Sequence, residues 1–372
     1  MDIPPNLATY FEEGTERAMT LGNRGPLRFA KDGAIHPDII DAYGRFGFYV
    51  LENMLDAAEV AQLRSDFADL EDRVPAGAEC ETDHLGRPSI KEDYPTVRFQ
   101  FAKPLSDPMG NSGRYQVKMQ ALESPEDAPD ETLVQVNGVL QLMPSCLRLY
   151  GHPNLLAIAA AINGPDFVPF TDAIWVKEAG LGPATSWHQD GMTHWESPAL
   201  DQGTHGFNFM TQLYRTTADC ALWIVPGTHD IGHIDIADWI KNNNGSDYLP
   251  NAVPLLAEPG DVAVCSRQML HGSFPNSSDN RRVTYVFGFN RRTSVMDVDG
   301  YCPTLKKRIR FDEERVAKRS KVIPLAIDAR AQQQKNETRY RYEPCADVSD
   351  LQYTQENERR ILHGYNEWDL II

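Results

Sequence analysis

What the chain lacks narrows its chemistry first. Its six cysteines, Cys80, Cys146, Cys220, Cys265, Cys302 and Cys345, form no CxxC pair and no short Cys/His spacing. That excludes a zinc ribbon, a thioredoxin-type motif and a disulfide scaffold, and it fits a reducing, cytoplasmic setting. No apolar run reaches the length of a membrane span, and the start Met1-Asp2-Ile3-Pro4-Pro5 has neither a basic nor an apolar stretch, so no spanning helix and no secretory leader are expected. Positive charge is also scarce: 36 Lys and Arg against 53 Asp and Glu leave a formal net charge of −17. Such a chain repels phosphate backbones and anionic lipid, so nucleic acid and membranes are not expected partners.

What is present is length and punctuation. A chain of 372 residues buries a large core without disulfides or a structural metal, so any metal it holds is there for chemistry. The 25 prolines and 26 glycines are spread throughout and predict many short elements, with no internal repeat. Phe46 to Leu51 reads as a strand. Asp56-Ala57-Ala58-Glu59 after it is a capping box that opens a helix, with Val60, Leu63, Phe67 and Leu70 on its buried face. Residues 74–132 are rich in charge, Gly and Pro and give no firm assignment. A second helix is predicted at Pro153 to Asn163, ended by Gly164. From about residue 165 the pattern changes to short β runs: Phe167 to Val176, Phe207 to Tyr214, Ala221 to Val225, Asp261 to Val264 and Val283 to Phe289, separated by turns such as Pro226-Gly227 and Glu258-Pro259-Gly260-Asp261. Strands at that spacing predict a barrel or sandwich.

The chemistry is concentrated in Trp187-His188-Gln189-Asp190-Gly191. In extended backbone, residues two apart share a face, so His188 and Asp190 can reach one ion. HxD alone is a common pattern; a third ligand makes it informative. His271 follows the apolar run Val262-Ala263-Val264 and precedes Gly272-Ser273. Two imidazoles and one carboxylate on neighbouring strands leave coordination positions open, as in non-haem Fe(II) oxygenases. A zinc hydrolase could use the same ligands but has no use for the arginine nearby. Arg282 opens the strand Arg282-Val283-Thr284-Tyr285-Val286 and shares a face with Thr284. A guanidinium and a hydroxyl so placed can grip a carboxylate, as the distal end of 2-oxoglutarate requires. Arg281 competes for that role, but alternation turns it the other way.

With these motifs the chain resembles the phytanoyl-CoA dioxygenase family of Fe(II)- and 2-oxoglutarate-dependent oxygenases. The matching stretches are Phe46 to Leu51 with its helix, Trp187 to Gly191, Ala221 to His229, Glu258 to Asp261, and His271-Gly272-Ser273 leading to Arg282. The family often has Pro-Gly-Ser-His where this chain has Pro226-Gly227-Thr228-His229. The resemblance implies a mainly β protein with flanking helices, built on a double-stranded β-helix (jelly-roll, cupin-like) core. It implies Fe(II) held by His188, Asp190 and His271, and 2-oxoglutarate held by Arg282, with O2 consumed and succinate and CO2 released. Asp190 favours hydroxylation or desaturation over halogenation, whose enzymes typically lack the carboxylate. The substrate would be a small organic metabolite.

On this reading residues 1–44 are an N-terminal extension, 45–300 the catalytic domain with its β core at about 165–292, and 301–372 a C-terminal extension packed on the core or on a second subunit, which leaves a homodimer open. Lys177 and Ser273 are further candidates for contact with the cosubstrate. Trp175, Trp187, His194 and Trp195 are candidates for an apolar substrate wall, against the plainer reading of core aromatics. His229 and His233 read as structural or surface groups, and Lys306 to Arg310 as a solvated face. Two other readings stand beside the oxygenase: a non-catalytic β-barrel that binds a metal and a carboxylate, and a metal-dependent hydrolase.

Overall fold

The computed structural model describes residues 5–191, 206–276, 278–302, 307–346, 351–363 and 365. The first part of the chain forms α1 (Pro5–Thr20), β1 (Arg24–Pro26), α2 (Pro37–Phe46), β2 (Phe48–Glu52), α3 (Ala57–Glu71), β3 (Arg98–Ala102), β4 (Thr132–Asn137), α4 (Pro144–Tyr150) and α5 (Pro153–Asn163). The β core follows: β5 (Phe167–Lys177), β6 (Thr185–His188), β7 (Gly206–Gln212), β8 (Trp223–Ile224), α6 (Ile236–Asn242), β9 (Val253–Pro254), β10 (Val262–Ser266), β11 (His271–Ser273) and β12 (Arg282–Arg291). The chain continues through α7 (Arg292–Val295), β13 (Asp299–Cys302), β14 (Lys307–Arg310), α8 (Glu313–Ser320), α9 (Val322–Gln333) and α10 (Gln355–Leu362).

Eight strands form the major sheet in the order β1-β2-β10-β7-β12-β5-β4-β3, and four form the minor sheet in the order β6-β11-β8-β9. All pairings in these two sheets are antiparallel except β1 with β2. The two sheets face each other across a cavity lined from both sides, the double-stranded β-helix arrangement, without closing into a barrel.

Strand β12 shows why the layers assemble this way. Its odd-numbered residues Val283, Tyr285, Phe287 and Phe289 are fully buried on the outer face of the major sheet. There they join one apolar cluster with Val60, Leu63, Phe67 and Leu70 of α3, and with residues of α4, α5 and α9. Each such side chain contributes about 1.5–3 kcal/mol by burial, offset in part by lost freedom. The even-numbered Arg282, Thr284 and Val286 turn inward and line the cavity. Both faces are covered, so β12 is buried along nearly its whole length. A second cluster lies on the minor sheet's far side, where Leu7, Tyr10 and Phe11 of α1 meet Trp187, Trp223 and Phe274.

Several local features follow from side-chain chemistry. Asp56 caps α3 through the backbone N–H groups of Ala58 and Glu59 while Glu59 reaches back, the full capping box. The turn from Glu258 to Asp261 docks on the start of α3: Leu55 N–H donates to the Gly260 carbonyl at 3.0 Å. Gly260 has φ +93°, and a Cβ there would meet the Leu55 oxygen at 2.8 Å, so only glycine fits. The C-terminal segment is tied to β5 by buried Arg319, which donates to the carbonyls of Pro169 and Phe170 and stacks on Tyr365. Among the described residues, no helix is long and apolar enough to cross a membrane.

At α5 the cap is a histidine. His152 Nδ1 accepts from Asn154 N–H at 3.2 Å, which requires the neutral ring, and the residue is only 4% exposed. Burial, reinforced by Arg330, lowers its pKa from 6.5 to about 3. Between those values the unfolded chain binds a proton that the folded chain does not, so this group's contribution is complete above pH 6.5 and is lost progressively down to about pH 3. The His152→Asn variant keeps an acceptor at the cap and removes the titration. Its melting temperature should fall less steeply than that of the wild type between pH 6.5 and 4, as measured by circular dichroism. Parallel slopes for the two proteins would contradict this.

Candidate metal centre and its cavity

The register of the minor sheet brings the ligand candidates together. His188, at the end of β6, pairs directly with His271, at the start of β11, while Ser273 pairs with Thr185. β6 therefore spends one residue more than β11 over this stretch, and the bulge lets Thr185 and His188 both face the cavity. The imidazole rings lie 4.1 Å apart by centroid. Asp190 follows in an extension anchored by its N–H on the Arg267 carbonyl at 2.9 Å. One ligand atom from each of His188, Asp190 and His271 lies within 4.8 Å of the others.

The hydrogen bonds around the rings set their tautomers. His188 Nδ1 is 2.8 Å from the Ser186 carbonyl, and His271 Nδ1 is 2.8 Å from the Met269 carbonyl. A carbonyl can only accept, so both Nδ1 atoms carry the proton and both Nε2 lone pairs are available to a cation. Burial lowers both histidine pKa values, with the neighbouring charges of His271 and Arg114 adding to the effect at His188. Burial opposes the charge on Asp190, but Arg114, His271 and Arg267 outweigh it and hold the carboxyl well below the usual range. Neutral imidazoles and an ionised carboxylate are the states in which these groups bind a divalent metal.

Asp190 is held from three sides. Arg114 Nη1 lies 3.0 Å from Oδ1, Asn208 Nδ2 donates to Oδ2 at 3.1 Å, and Arg267 Nε is 3.9 Å from Oδ2. Asn208 sits on β7 beside Gly288 of β12, where a Cβ would fall 2.4 Å from the Asn208 oxygen. Arg114 and Tyr115 belong to the unassigned stretch 74–132, and Tyr115 packs its ring 4.6 Å from that of His188. Asp107 folds this loop by accepting from the N–H groups of Gly110 and Met119, and it accepts from the Ser186 hydroxyl on β6. The loop is thus pinned two residues from His188. On the other strand, Thr228 Oγ1 donates to the Val225 carbonyl and accepts from Leu270 N–H, bracing the approach to His271. A serine or threonine hydroxyl can do this equally well.

The inner cavity, about 80 Å3, runs from the ligands to Arg282. Arg282 is 6% exposed, and its Nε and Nη1 have no hydrogen-bond partner. Burial lowers its pKa to about 10. Ser273 Oγ, also on the cavity wall, is buried and unpartnered. Thr284 lies on the same face as Arg282 and donates to Gln212 Oε1 at 2.8 Å. Arg281 points away and ion-pairs with Glu71 and Glu178.

The remaining candidates divide. Trp175 lines the cavity. Trp187 does not: as the neighbour of His188 on the strand it turns to the opposite face, packs edge-on against Phe274 and donates its N–H to the Asp247 carbonyl. Lys177 pairs in register with Arg282, but its amine is given to the Phe274 carbonyl and it does not reach the cavity wall. Burial and then Arg282 drive its pKa down. His194 and Trp195 lie outside the described residues. His229 bonds through Nε2 to the Gly44 carbonyl, a structural contact at the end of α2.

The family model described as phytanoyl-CoA dioxygenase (PhyH) matches residues 43–284. The dioxygenase lolE1 of Epichloe uncinata is 28% identical over 142 residues, which is 36% of this chain and 49% of that protein. The chain thus spans about half the length of that curated relative. Among solved structures, EctD from S. alaskensis with 2-oxoglutarate and 5-hydroxyectoine is 18% identical, with 71% of this chain and 79% of that one covered at a TM-score of 0.47. The non-heme alpha ketoglutarate dependent carbocyclase SnoK from nogalamycin biosynthesis is 16% identical, with 74% and 88% covered at a TM-score of 0.47. Matched from the end of α2 to the Arg282 and Thr284 pair, well over half of its length, the chain belongs to the phytanoyl-CoA dioxygenase (PhyH) family.

Proposed function

We propose that the protein is an Fe(II)- and 2-oxoglutarate-dependent dioxygenase that hydroxylates or desaturates a small organic metabolite. The observation that carries this reading is the buried guanidinium of Arg282, with two unpartnered N–H groups in the same cavity as His188, Asp190 and His271. An unpaired buried charge is costly, and a carboxylate from outside relieves it. Ser273 Oγ, equally unpartnered on that wall, supplies a second donor for the same anion. The donor set of two neutral imidazoles and one carboxylate fits Fe(II) and leaves positions for other ligands. Bound there, Fe(II) supplies the O2 chemistry that couples decarboxylation of 2-oxoglutarate to succinate and CO2 with oxidation of a substrate C–H bond.

The residues of the chain perform the positioning. His188 and His271 present Nε2 because Ser186 and Met269 hold their Nδ1 protons. Asn208 orients Asp190 through Oδ2, while Oδ1, 3.7 Å from His188 Nε2, is shared with Arg114. Arg282 and Ser273 take the distal carboxylate of 2-oxoglutarate and aim its keto acid end at the ligands, while Thr284 and Gln212 close the polar wall beside them. The apolar neighbours Met210, Leu222 and Val286 keep water away from this line. A hydrolase with the same ligands would need no such anchor, and a carboxylate-binding protein without turnover would bind 2-oxoglutarate yet consume no O2.

Iron-loaded protein should release succinate from 2-oxoglutarate with O2 uptake. His188→Ala should abolish iron binding in anaerobic titration calorimetry. Arg282→Ala should keep iron affinity and weaken 2-oxoglutarate by about 10–100-fold, the worth of a charge-assisted contact. Unchanged 2-oxoglutarate affinity in that variant would remove the basis of the assignment. The orienting bond at Asp190 is tested separately: Asn208→Ala should weaken iron about 10-fold or more with little effect on melting temperature.

A further inference from the structure

Past the metal ligands the cavity opens into a second compartment of about 490 Å3, within the range of small-molecule sites. The two compartments meet at Arg114, Trp175, Asp190, Asn208 and Val286. The outer one extends along the major sheet towards its β3 edge. Cross-strand register lays its floor in rows. One row runs Gln100, Gln135, Trp175, Thr284 and Gln212 across five strands. The next runs Arg98, Asn137, Ala173, Val286 and Met210. Residues two apart share a face, so both rows present to the same side. In the second row the small Ala173 and the aliphatic Val286 separate a polar end at Arg98 and Asn137 from the metal end over β7. Four strand spacings of about 4.8 Å, roughly 19 Å of sheet, lie between the backbones of β3 and β7.

Three arginines border this compartment, and two are already engaged. Arg114 and Arg267 both face the Asp190 carboxylate, and Arg267 also stacks over Phe170 at 4.1 Å. Arg98 differs. Its Nε is buried with no hydrogen-bond partner, and among the described residues no acid pairs with its guanidinium. A guanidinium flanked by the amides of Gln100 and Asn137 is a fork for a planar or tetrahedral oxyanion. Trp175, Tyr115 and Phe170 supply aromatic surface between that fork and the ligands.

We propose that the substrate is an elongated molecule with an anionic group, carboxylate or phosphate, at one end. Arg98 binds that group at the β3 side, the body lies across Trp175 and Tyr115, and the carbon to be oxidised sits at the far end beside His188 and Asp190. This assignment rests on the oxygenase reading and adds to it a substrate class and the residue that selects it. Arg98 acts at a distance from the reacting carbon, so it governs affinity and orientation.

Anaerobic protein loaded with iron and 2-oxoglutarate is titrated calorimetrically with phenylpropionate, phenethyl phosphate and the neutral phenylpropanol. At least one anion should bind about 10-fold or more tightly than the alcohol, the preference between the two naming carboxylate or phosphate. Arg98→Gln should reduce anion affinity to the level of the alcohol and leave 2-oxoglutarate affinity unchanged, and Arg98→Lys should recover part of it. Equal binding of alcohol and anions, no anion binding at millimolar concentration, or full anion affinity in a folded Arg98→Gln protein overturns the proposal. Absence of 2-oxoglutarate binding to the wild type overturns the oxygenase reading and this substrate class together. Failure of the probes in a protein that does bind 2-oxoglutarate overturns the substrate class alone.

Discussion

The site depends on one strand pairing, His188 of β6 opposite His271 of β11. Antiparallel register is discrete: a slip of one residue would turn one imidazole to the other side of the minor sheet, against Trp187 and Phe274. Much of the surrounding structure protects that register. The bulge in β6, the Thr228 hydroxyl bridging Val225 and Leu270, and the bond from Ser186 to Asp107 all act within two or three residues of His188 or His271. The apolar cluster behind the minor sheet then locks the strands from the other side.

The second constraint is electrostatic. An acidic chain gathers several guanidinium groups around one cavity, where among the described residues Asp190 is the one acid on the wall. Arg114 and Arg267 keep that carboxylate ionised while it is removed from water, and at the opposite end Arg282 is buried with Nε and Nη1 unpartnered. Local charge thus opposes global charge.

The sequence was most legible where strand alternation decides direction. Val283, Tyr285, Phe287 and Phe289 go to the helices and Arg282, Thr284 and Val286 to the cavity, as a period of two requires. The same rule separates Arg281, committed to Glu71 and Glu178, from Arg282. The capping box at Asp56 and the helix from Pro153 to Asn163 were readable because their signals are local. Of the two readings for Trp187 the plainer one, a core aromatic, describes its place: adjacency to His188 puts it on the face away from the cavity. Lys177 shares a row with Arg282, but the carbonyl of Phe274, distant in sequence, captures its amine. Arg114, Tyr115 and Asn208 carried no signal of their own. The loop at 107–119 owes its shape to a carboxylate at Asp107 meeting a hydroxyl on β6, and Asn208 owes its role to a neighbour eighteen residues earlier.

The grip of Arg319 on β5 reaches further than the C-terminal segment itself. The carbonyl it holds at Phe170 belongs to the residue whose ring carries Arg267 and borders the outer compartment. The same Phe170 packs with Val168, Val295, Val298, Phe311 and Val316 in one apolar cluster. A segment whose described residues contribute nothing to the compartment wall therefore acts as its buttress. Length changes or exchanges after β12 would reshape the chamber from behind, giving this scaffold a way to vary what it accommodates while every residue on the chamber wall stays the same.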